Sequence, residues 1–222
     1  MFSAIRSSLL LILGTSVSTA LAQCSLAGYL GAYSTTSGTF IGAVARTLGS
    51  QGIFTLDKTG DRSNYLAVIG FTNSTNEGDA VLLQILSPVD PTVPYVSIVA
   101  GTTDCNGMPI PNGNTAWAAE IVPADGFPRG AFPLPGDTRT TLLGGYGNLV
   151  TLCGEPMAFA IRSDFGRDIL APVWTDQGGT QHSLTIVHDI TNDRLAVSPN
   201  LVSYAAASSN PMVEEVFFAF FT

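Results

Sequence analysis

Charged residues are scarce in this chain of 222 residues. Lysine and arginine number 9, aspartate and glutamate 17, and together they form 12% of the sequence, with a net charge of −8. This composition argues against a nucleic-acid partner, because binding to phosphates needs a basic face. It also argues against a coiled coil, which needs many more charged residues. Disorder is disfavoured too, because 45% of the residues are hydrophobic. The composition therefore predicts a folded, acidic globular protein.

The motifs of common metal and catalytic centres are missing as well. His182 and His188 are the two histidines, and no His-x-x-x-His, Cys-x-x-Cys or Gly-x-Ser-x-Gly sequence occurs. If both histidines belong to one strand, their six-residue spacing places them ~20 Å apart, which is too far for them to bind the same metal ion. Both are therefore interpreted as surface or strand-end residues. Asp57–Asp61 and Asp189–Asp193 do not fit the calcium-binding loop. The sequence therefore predicts no metal, no cofactor and no identifiable catalytic residue.

The first 22 residues have the layout of a secretory signal peptide. Arg6 supplies a positive charge, Leu9–Leu13 an apolar run, and Ala20-Leu21-Ala22 a small-x-small cleavage site. The apolar run is shorter than the ~20 residues of a membrane span. We expect residues 1–22 to be removed, leaving a secreted, extracellular protein without a membrane partner.

Residues 23–222 are predicted to form a single all-β domain, a sandwich or jelly-roll-like arrangement of antiparallel sheets. Short runs of β-branched and aromatic residues alternate with clusters of Gly, Pro, Asn and Asp, which is typical of such folds. The pattern predicts twelve strands, at residues 40–46, 53–56, 65–71, 80–86, 95–100, 115–122, 140–143, 149–152, 157–162, 169–174, 182–188 and 213–221.

Two segments resemble secreted, functionally uncharacterised β-rich proteins of mushroom-forming fungi. They are Ser-Gly-Thr-Phe-Ile-Gly-Ala-Val at Ser37–Val44 and Pro-Val-Asp-Pro-Thr-Val-Pro-Tyr at Pro88–Tyr95. The resemblance covers about the first half of the mature chain. It implies an extracellular fungal protein and transfers no functional residue.

The favoured function is that of a non-catalytic, cell-wall-associated or carbohydrate-interacting module. Aromatic rings offer flat apolar faces to sugar rings, and a low charge suits an uncharged polymer such as a cell-wall polysaccharide. Trp174 ends a predicted strand beside a turn, and Tyr146 lies in a glycine-rich loop, so these two rings are the predicted ligand-binding residues. Trp117 alternates with apolar residues and is expected in the core.

A hydrolase that cleaves cell-wall polysaccharide through a pair of carboxylates is the alternative. Asp164 and Asp168 flank a turn, while Glu120 and Glu155 lie in or beside predicted strands. Glycoside hydrolysis needs two carboxylates about 5 to 9 Å apart. Acids in turns and on surfaces commonly have structural roles, which favours the non-catalytic interpretation.

Two modifications are expected in a secreted chain. Asn73-Ser74-Thr75 is the sole Asn-x-Ser/Thr sequence, and Asn73 is predicted to be glycosylated in a polar loop.

The second modification is a disulfide. The chain has three cysteines, so one thiol is left over when two of them pair. We favour a Cys105–Cys153 disulfide, because Cys24 lies in a stretch expected to fray, and a bridge from Cys24 to either is the alternative. A remaining Cys24 is a candidate for a disulfide that links two copies of the chain.

Overall fold

The computed structural model describes residues 24–49, 51–72, 80–103, 105, 111, 116–126, 138–142, 149–155, 158–176, 179–208 and 212–222. The predicted signal peptide, Asn73 and Tyr146 lie outside these ranges. Within them the protein is all-β, which confirms the predicted class.

The described residues form fifteen strands, one short 3-10 helix and one α-helix. Their bounds are β1 (Cys24–Ser34), β2 (Phe40–Val44), β3 (Leu56–Asp57), the 3-10 helix (Arg62–Asn64), β4 (Ala67–Thr72), β5 (Ala80–Ile85), β6 (Tyr95–Val99), β7 (Ala119–Ala124), β8 (Thr138–Thr141), β9 (Val150–Glu155), β10 (Phe159–Asp164), β11 (Arg167–Thr175), β12 (Gln181–Ser183), β13 (Thr185–Asp189), β14 (Arg194–Ser198), α1 (Leu201–Ala207) and β15 (Val213–Phe221).

Four elements are absent from the sequence prediction: β1, the 3-10 helix, β14 and α1. Fraying around Cys24 was a wrong expectation, since Cys24 begins β1 and pairs with Thr72 of β4. β1 is rich in Gly, Ala and Ser, which have little strand preference of their own, so pairing with its neighbours stabilises it. α1 begins after Asn200, whose side-chain oxygen accepts a hydrogen bond from the Ser203 amide at 2.8 Å.

The single strand predicted at residues 182–188 is wrong, because the chain changes partners at Leu184. β12 pairs with β11, whereas β13 pairs with β14 and β15. Leu184 is buried in the core between the two strands, and its amide donates to the Pro172 carbonyl at 3.0 Å. His182 and His188 consequently belong to different strands.

The strands form one antiparallel sheet that closes on itself. β5 pairs with β4 along one edge, and its other edge is shared by β10 and β6. β15 likewise has β1 along one edge and both β13 and β11 along the other. The sheet therefore forms two rings of strands that share β1, β4, β5 and β15.

The space inside these rings holds the main hydrophobic core. It includes Leu30 of β1, Phe159 of β10, Phe218 of β15 and both tryptophans, all at most 5% exposed. Adjacent residues of a strand point to opposite faces, so the neighbours of these core residues point outward. None of the helices in the described residues is long and apolar enough to cross a membrane.

Candidate functional site

The outward face of β1 and β15 carries paired aromatic side chains. Tyr33 lies directly opposite Phe217, and Tyr29 lies directly opposite Phe221. Residues opposite each other in an antiparallel pair project to the same face, here the face away from Leu30 and the main core. The register therefore gathers four rings on one outer surface.

Three further rings from other parts of the chain extend this group. We use the name aromatic surface for the seven residues Tyr29, Tyr33, Phe40, Tyr65, Phe165, Phe217 and Phe221. Each ring contacts at least one other, with centroids between 5.0 and 5.7 Å apart. These separations fit favourable aromatic pairs, so the surface is continuous.

Two rings of the aromatic surface are open to solvent. Phe40 is 48% exposed and Phe165 is 43% exposed, whereas Tyr33 and Phe217 are buried beneath them. The exposed hydroxyls of Ser37 and Thr39 lie 2.7 Å apart in the turn just before Phe40. The surface thus presents two apolar rings with hydrogen-bonding groups beside one of them.

Phe165 is held in a backbone conformation that is unfavourable for its type. It has φ +50° and is followed by Gly166 with φ +69° in the two-residue turn between β10 and β11. Such a turn strongly prefers Asn, Asp or Gly at both positions, and a bulky residue with positive φ is strained. Backbone strain of this kind is more common at functional sites than elsewhere, which makes Phe165 a candidate.

Two glycines make room for the exposed and half-buried rings. A Cβ on Gly38 would lie 3.2 Å from the Phe165 ring, and a Cβ on Gly31 would lie 2.9 Å from the Phe221 ring. Gly38 also has φ +67°, which favours glycine there.

A cation–π contact adds to the aromatic surface. The guanidinium of Arg167 lies 4.3 Å from the centre of the Tyr33 ring.

Trp174 is not the solvent-facing ring that the sequence predicts. It is 5% exposed and packs edge-to-face against Trp117, with ring centroids 5.6 Å apart. The reason is alternation along β11, since Trp174 shares a face with Leu170 and that face points into the main core. The prediction that Trp117 is a core residue is confirmed, as it too is 5% exposed.

The candidate acids do not form a carboxylate pair. Glu120 lies opposite Val99, and Glu155 lies opposite Ile98 of the same strand, so these two carboxylates project to opposite faces of the sheet. Asp164 lies opposite Arg167 and therefore projects to the same face of the hairpin as Arg167. Asp168 follows Arg167 in β11, so Asp164 and Asp168 project to opposite faces. Neither of these two pairs therefore presents its carboxylates on one face, as two acids flanking a glycosidic bond would need to be.

Burial has a strong effect on the two strand glutamates. It raises the pKa of Glu155 to about 8 and that of Glu120 to about 7. One Glu155 oxygen accepts a hydrogen bond from the Thr175 amide at 2.7 Å, and the other has no hydrogen-bond partner among the described residues. One Glu120 oxygen lies 3.0 Å from Nη1 of Arg194, and in the described part of the chain its other oxygen has no hydrogen-bond partner either.

Arg194 and Glu120 belong to a network under α1. Oδ2 of the fully buried Asp189 accepts hydrogen bonds from the Tyr204 hydroxyl at 2.9 Å, the Asn192 side-chain amide at 2.7 Å and Nε of Arg194 at 3.3 Å. Burial opposes ionisation of Asp189, but these bonds and one from the Asn192 backbone amide to its Oδ1 together lower its pKa. Nε and Nη1 of Arg194 thus each have a carboxylate partner.

The histidines have separate carboxylate partners. His188 is 2% exposed and so is not a surface residue, but it is the penultimate residue of β13, which agrees with the strand-end alternative. Its Nδ1 lies 2.7 Å from Oε1 of Glu214 in the neighbouring strand β15. Nε2 of the partly exposed His182 lies 2.9 Å from Asp176 across a turn. Among the described residues no group of three His, Cys, Asp or Glu is arranged to hold a metal ion.

Cys105 and Cys153 form a disulfide, with Cα atoms 5.4 Å apart. This is the pair favoured from the sequence. It closes a loop with a sequence separation of 48 residues. Such a closure removes about 4 kcal/mol of unfolded-chain entropy in the loop model.

Sequence reasoning missed the aromatic surface, although the sequence contains a signal for it. Tyr29-x-Gly31-x-Tyr33 and Phe217-x-Ala219-x-Phe221 each place two rings on one face of a strand. The register between those strands and the approach of Phe165 and Phe40 require the tertiary structure. Comparisons with protein-family models, curated proteins and solved structures find no match to this chain.

Proposed function

We propose that this protein is a secreted, non-catalytic module that binds uncharged cell-wall polysaccharide through the aromatic surface. The observation that carries the proposal is the pair of solvent-open rings, Phe165 and Phe40, on a buried aromatic base. Aromatic faces are suited to the apolar faces of sugar rings, and they need no charge on the polymer. The extracellular, fungal setting of the proposal rests on the signal-peptide pattern and the resemblance described above.

The cost of keeping Phe165 at the turn supports this role. Asparagine or glycine would adopt the positive φ of this turn position with less strain, but neither has an aromatic ring. The ring stacks on Phe217 yet leaves 43% of the residue in solvent, so core packing alone does not account for it. A binding role for the outer part of the ring does.

The experiment is a pull-down of the secreted protein with insoluble glucans and chitin. We expect wild type to sediment with at least one polymer, and Phe165→Asn and Phe40→Ala to remain mostly in the supernatant. Met212→Ala is the matched control, because Met212 is an exposed apolar residue outside the aromatic surface. Equal sedimentation of wild type and both ring variants would reject the aromatic surface as the binding site.

The same incubation separates binding from hydrolysis. Reducing ends released into the supernatant by wild type would contradict the non-catalytic assignment and support the carboxylate hydrolase. Sedimentation without release supports the proposal.

A further inference from the structure

Two arginines from separate segments of the chain line one small pocket. Ala45 forms an isolated β-bridge with Tyr65, and the Arg46 amide donates to the Asn64 carbonyl at 2.7 Å. Asn64 ends the 3-10 helix that Arg62 begins. These backbone contacts bring Arg46 and Arg62 to the same pocket, which has a volume of about 210 Å³. We use the name arginine pocket for it.

The arginine pocket is basic, although the protein as a whole is acidic. No aspartate or glutamate of the described residues lines it. In the described part of the chain neither Arg46 nor Arg62 has a side-chain carboxylate within ion-pair distance, whereas Arg194 has two. Asp61 precedes Arg62, but its Oδ1 accepts hydrogen bonds from the Ser63 amide at 3.0 Å and the Ser63 hydroxyl at 2.9 Å. Two guanidinium charges therefore face the pocket without a carboxylate side chain to neutralise them.

Most N–H donors of these two guanidiniums are unused within the protein. Nη2 of Arg62 donates to the backbone oxygen of Thr222 at 3.0 Å, a contact that ties this side chain to the end of β15. The Arg46 side chain donates to none of the described residues. A guanidinium carries several N–H donors in a planar fork, so both arginines keep donors for a ligand.

A further donor in the arginine pocket is the Tyr65 hydroxyl. Tyr65 is only 7% exposed, yet its hydroxyl has no hydrogen-bond partner among the described residues and is not sealed off from solvent. Because Tyr65 lines the pocket, this is where the hydroxyl is accessible. A buried tyrosine commonly gives its hydroxyl a partner, so an unused hydroxyl at this position points to a ligand.

These groups fit an oxyanion that carries more than one charge. Guanidiniums bind phosphate groups through paired N–H donors, and two of them match the double negative charge of phosphate or sulfate better than the single charge of a carboxylate. The volume is below the ~300 Å³ at which sites for whole small molecules begin, so it suits a single ion or one group of a larger ligand.

We propose that the arginine pocket binds a phosphate or sulfate group, with Arg46, Arg62 and Tyr65 as hydrogen-bond donors. The proposal does not rest on the polysaccharide site, which was assigned to Phe40 and Phe165. Tyr65 and Tyr29 belong to both the pocket lining and the aromatic surface, so the two sites adjoin.

The test is calorimetric titration of the secreted protein with inorganic phosphate and with inorganic sulfate at constant ionic strength. We expect saturable heat, with a dissociation constant in the millimolar range, for at least one of the two ions. Arg46→Gln and Arg62→Gln should each weaken binding about tenfold, the effect of losing a charge-assisted hydrogen bond. Tyr65→Phe removes the hydroxyl but keeps the ring, and it should weaken binding by a smaller factor.

Arg162→Gln is the matched control, because Arg162 is an exposed arginine that does not line the arginine pocket. It makes the same change of charge and should bind both ions like wild type. The absence of saturable heat at tens of millimolar of either ion would overturn the proposal. Binding that is unchanged in Arg46→Gln and Arg62→Gln, or equally weakened in Arg162→Gln, would overturn it as well. Acetate that binds as tightly as phosphate and sulfate would assign the pocket to carboxylates instead.

Glucose 6-phosphate distinguishes a free ion from a group carried by a larger ligand. Binding that is tighter than that of inorganic phosphate, and weakened by the same substitutions, identifies a phosphate ester as the ligand. Equal or weaker binding identifies the free ion. The polymer pull-down is a separate measurement, so failure of this pocket is distinguishable from failure of the proposed function.

Discussion

Phe165 stacks on Phe217 with ring centroids 5.0 Å apart and ring planes 4° apart, from a turn position with φ +50°. The contact joins the tip of the β10–β11 hairpin to the centre of β15. Phe217 in turn stacks on Tyr33 of β1. A strained tip residue thereby becomes the outermost ring of a stack anchored in the sheet.

Replacement of this tip residue should separate stability from binding. Phe165→Asn relieves the positive-φ strain but loses the stacking on Phe217, effects of similar size and opposite sign. We expect the free energy of unfolding to change by less than about 1 kcal/mol, while polysaccharide binding falls strongly. Denaturant unfolding and the pull-down assay measure the two quantities. A variant that loses stability and binding in parallel would make Phe165 a structural residue only.

Stability should decrease as the pH rises through the neutral range. The pKa of Glu155 is raised from 4.5 to about 8 by burial, so the native state binds its proton more tightly than the unfolded chain does. The resulting stabilisation is complete below about pH 4.5 and is lost progressively towards pH 8, by a few kcal/mol. Glu120, with a pKa of about 7, acts in the same direction.

Glu155→Gln should flatten this pH profile, because glutamine does not titrate. Asp168→Asn makes the same acid-to-amide change at an exposed position and should leave the profile unchanged. The measurement is the unfolding midpoint between pH 4 and pH 8 in one buffer series. An identical slope in Glu155→Gln and wild type would show that other groups cause the dependence.

Both tryptophans should be essential to stability. Trp174→Ala and Trp117→Ala each remove a ring that is 5% exposed from the same edge-to-face pair, so each should cost about 3 to 5 kcal/mol. Phe40→Ala, at a half-exposed ring, should cost much less. Denaturant unfolding of the three variants checks the order, and a small effect of Trp174→Ala would contradict the burial described here.

The third cysteine should link two copies of the protein. With Cys105 and Cys153 joined, Cys24 is left at the start of β1. We expect a partial dimer in electrophoresis without reductant, a monomer with reductant, and no dimer in Cys24→Ser. A dimer that persists in Cys24→Ser would show that Cys24 is not the linking residue.

The sole Asn-x-Ser/Thr sequence should carry a glycan. Asn73 follows β4, which ends at Thr72 and precedes β5 at Ala80. Peptide mass spectrometry of the protein from a fungal secretory host should find Asn73 modified, and Asn73→Gln should remove the added mass. An unmodified Asn73 would contradict the secretory route or the accessibility of this segment.

The sequence alone determined the all-β class and many strand positions, because alternation and turn residues act over a few neighbours in the chain. The predicted strand 213–221 has the bounds of β15, and most of it is the uninterrupted apolar run 216–221. β1 was not predicted, because Gly and Ala specify little until β15, β4 and β2 supply hydrogen-bond partners.

The tertiary structure decided which side chains reach solvent. The local sequence pattern puts Trp174 beside a turn and so predicts that its ring is exposed. In the closed sheet, however, the face of β11 that carries Trp174 points towards Trp117 and the main core. The same closure put Tyr33 beside Phe217, residues 184 positions apart, and brought Phe165 onto them. A surface assembled from five separate segments depends on the register between distant strands. That register is set by how the whole sheet buries its core, not by any one segment.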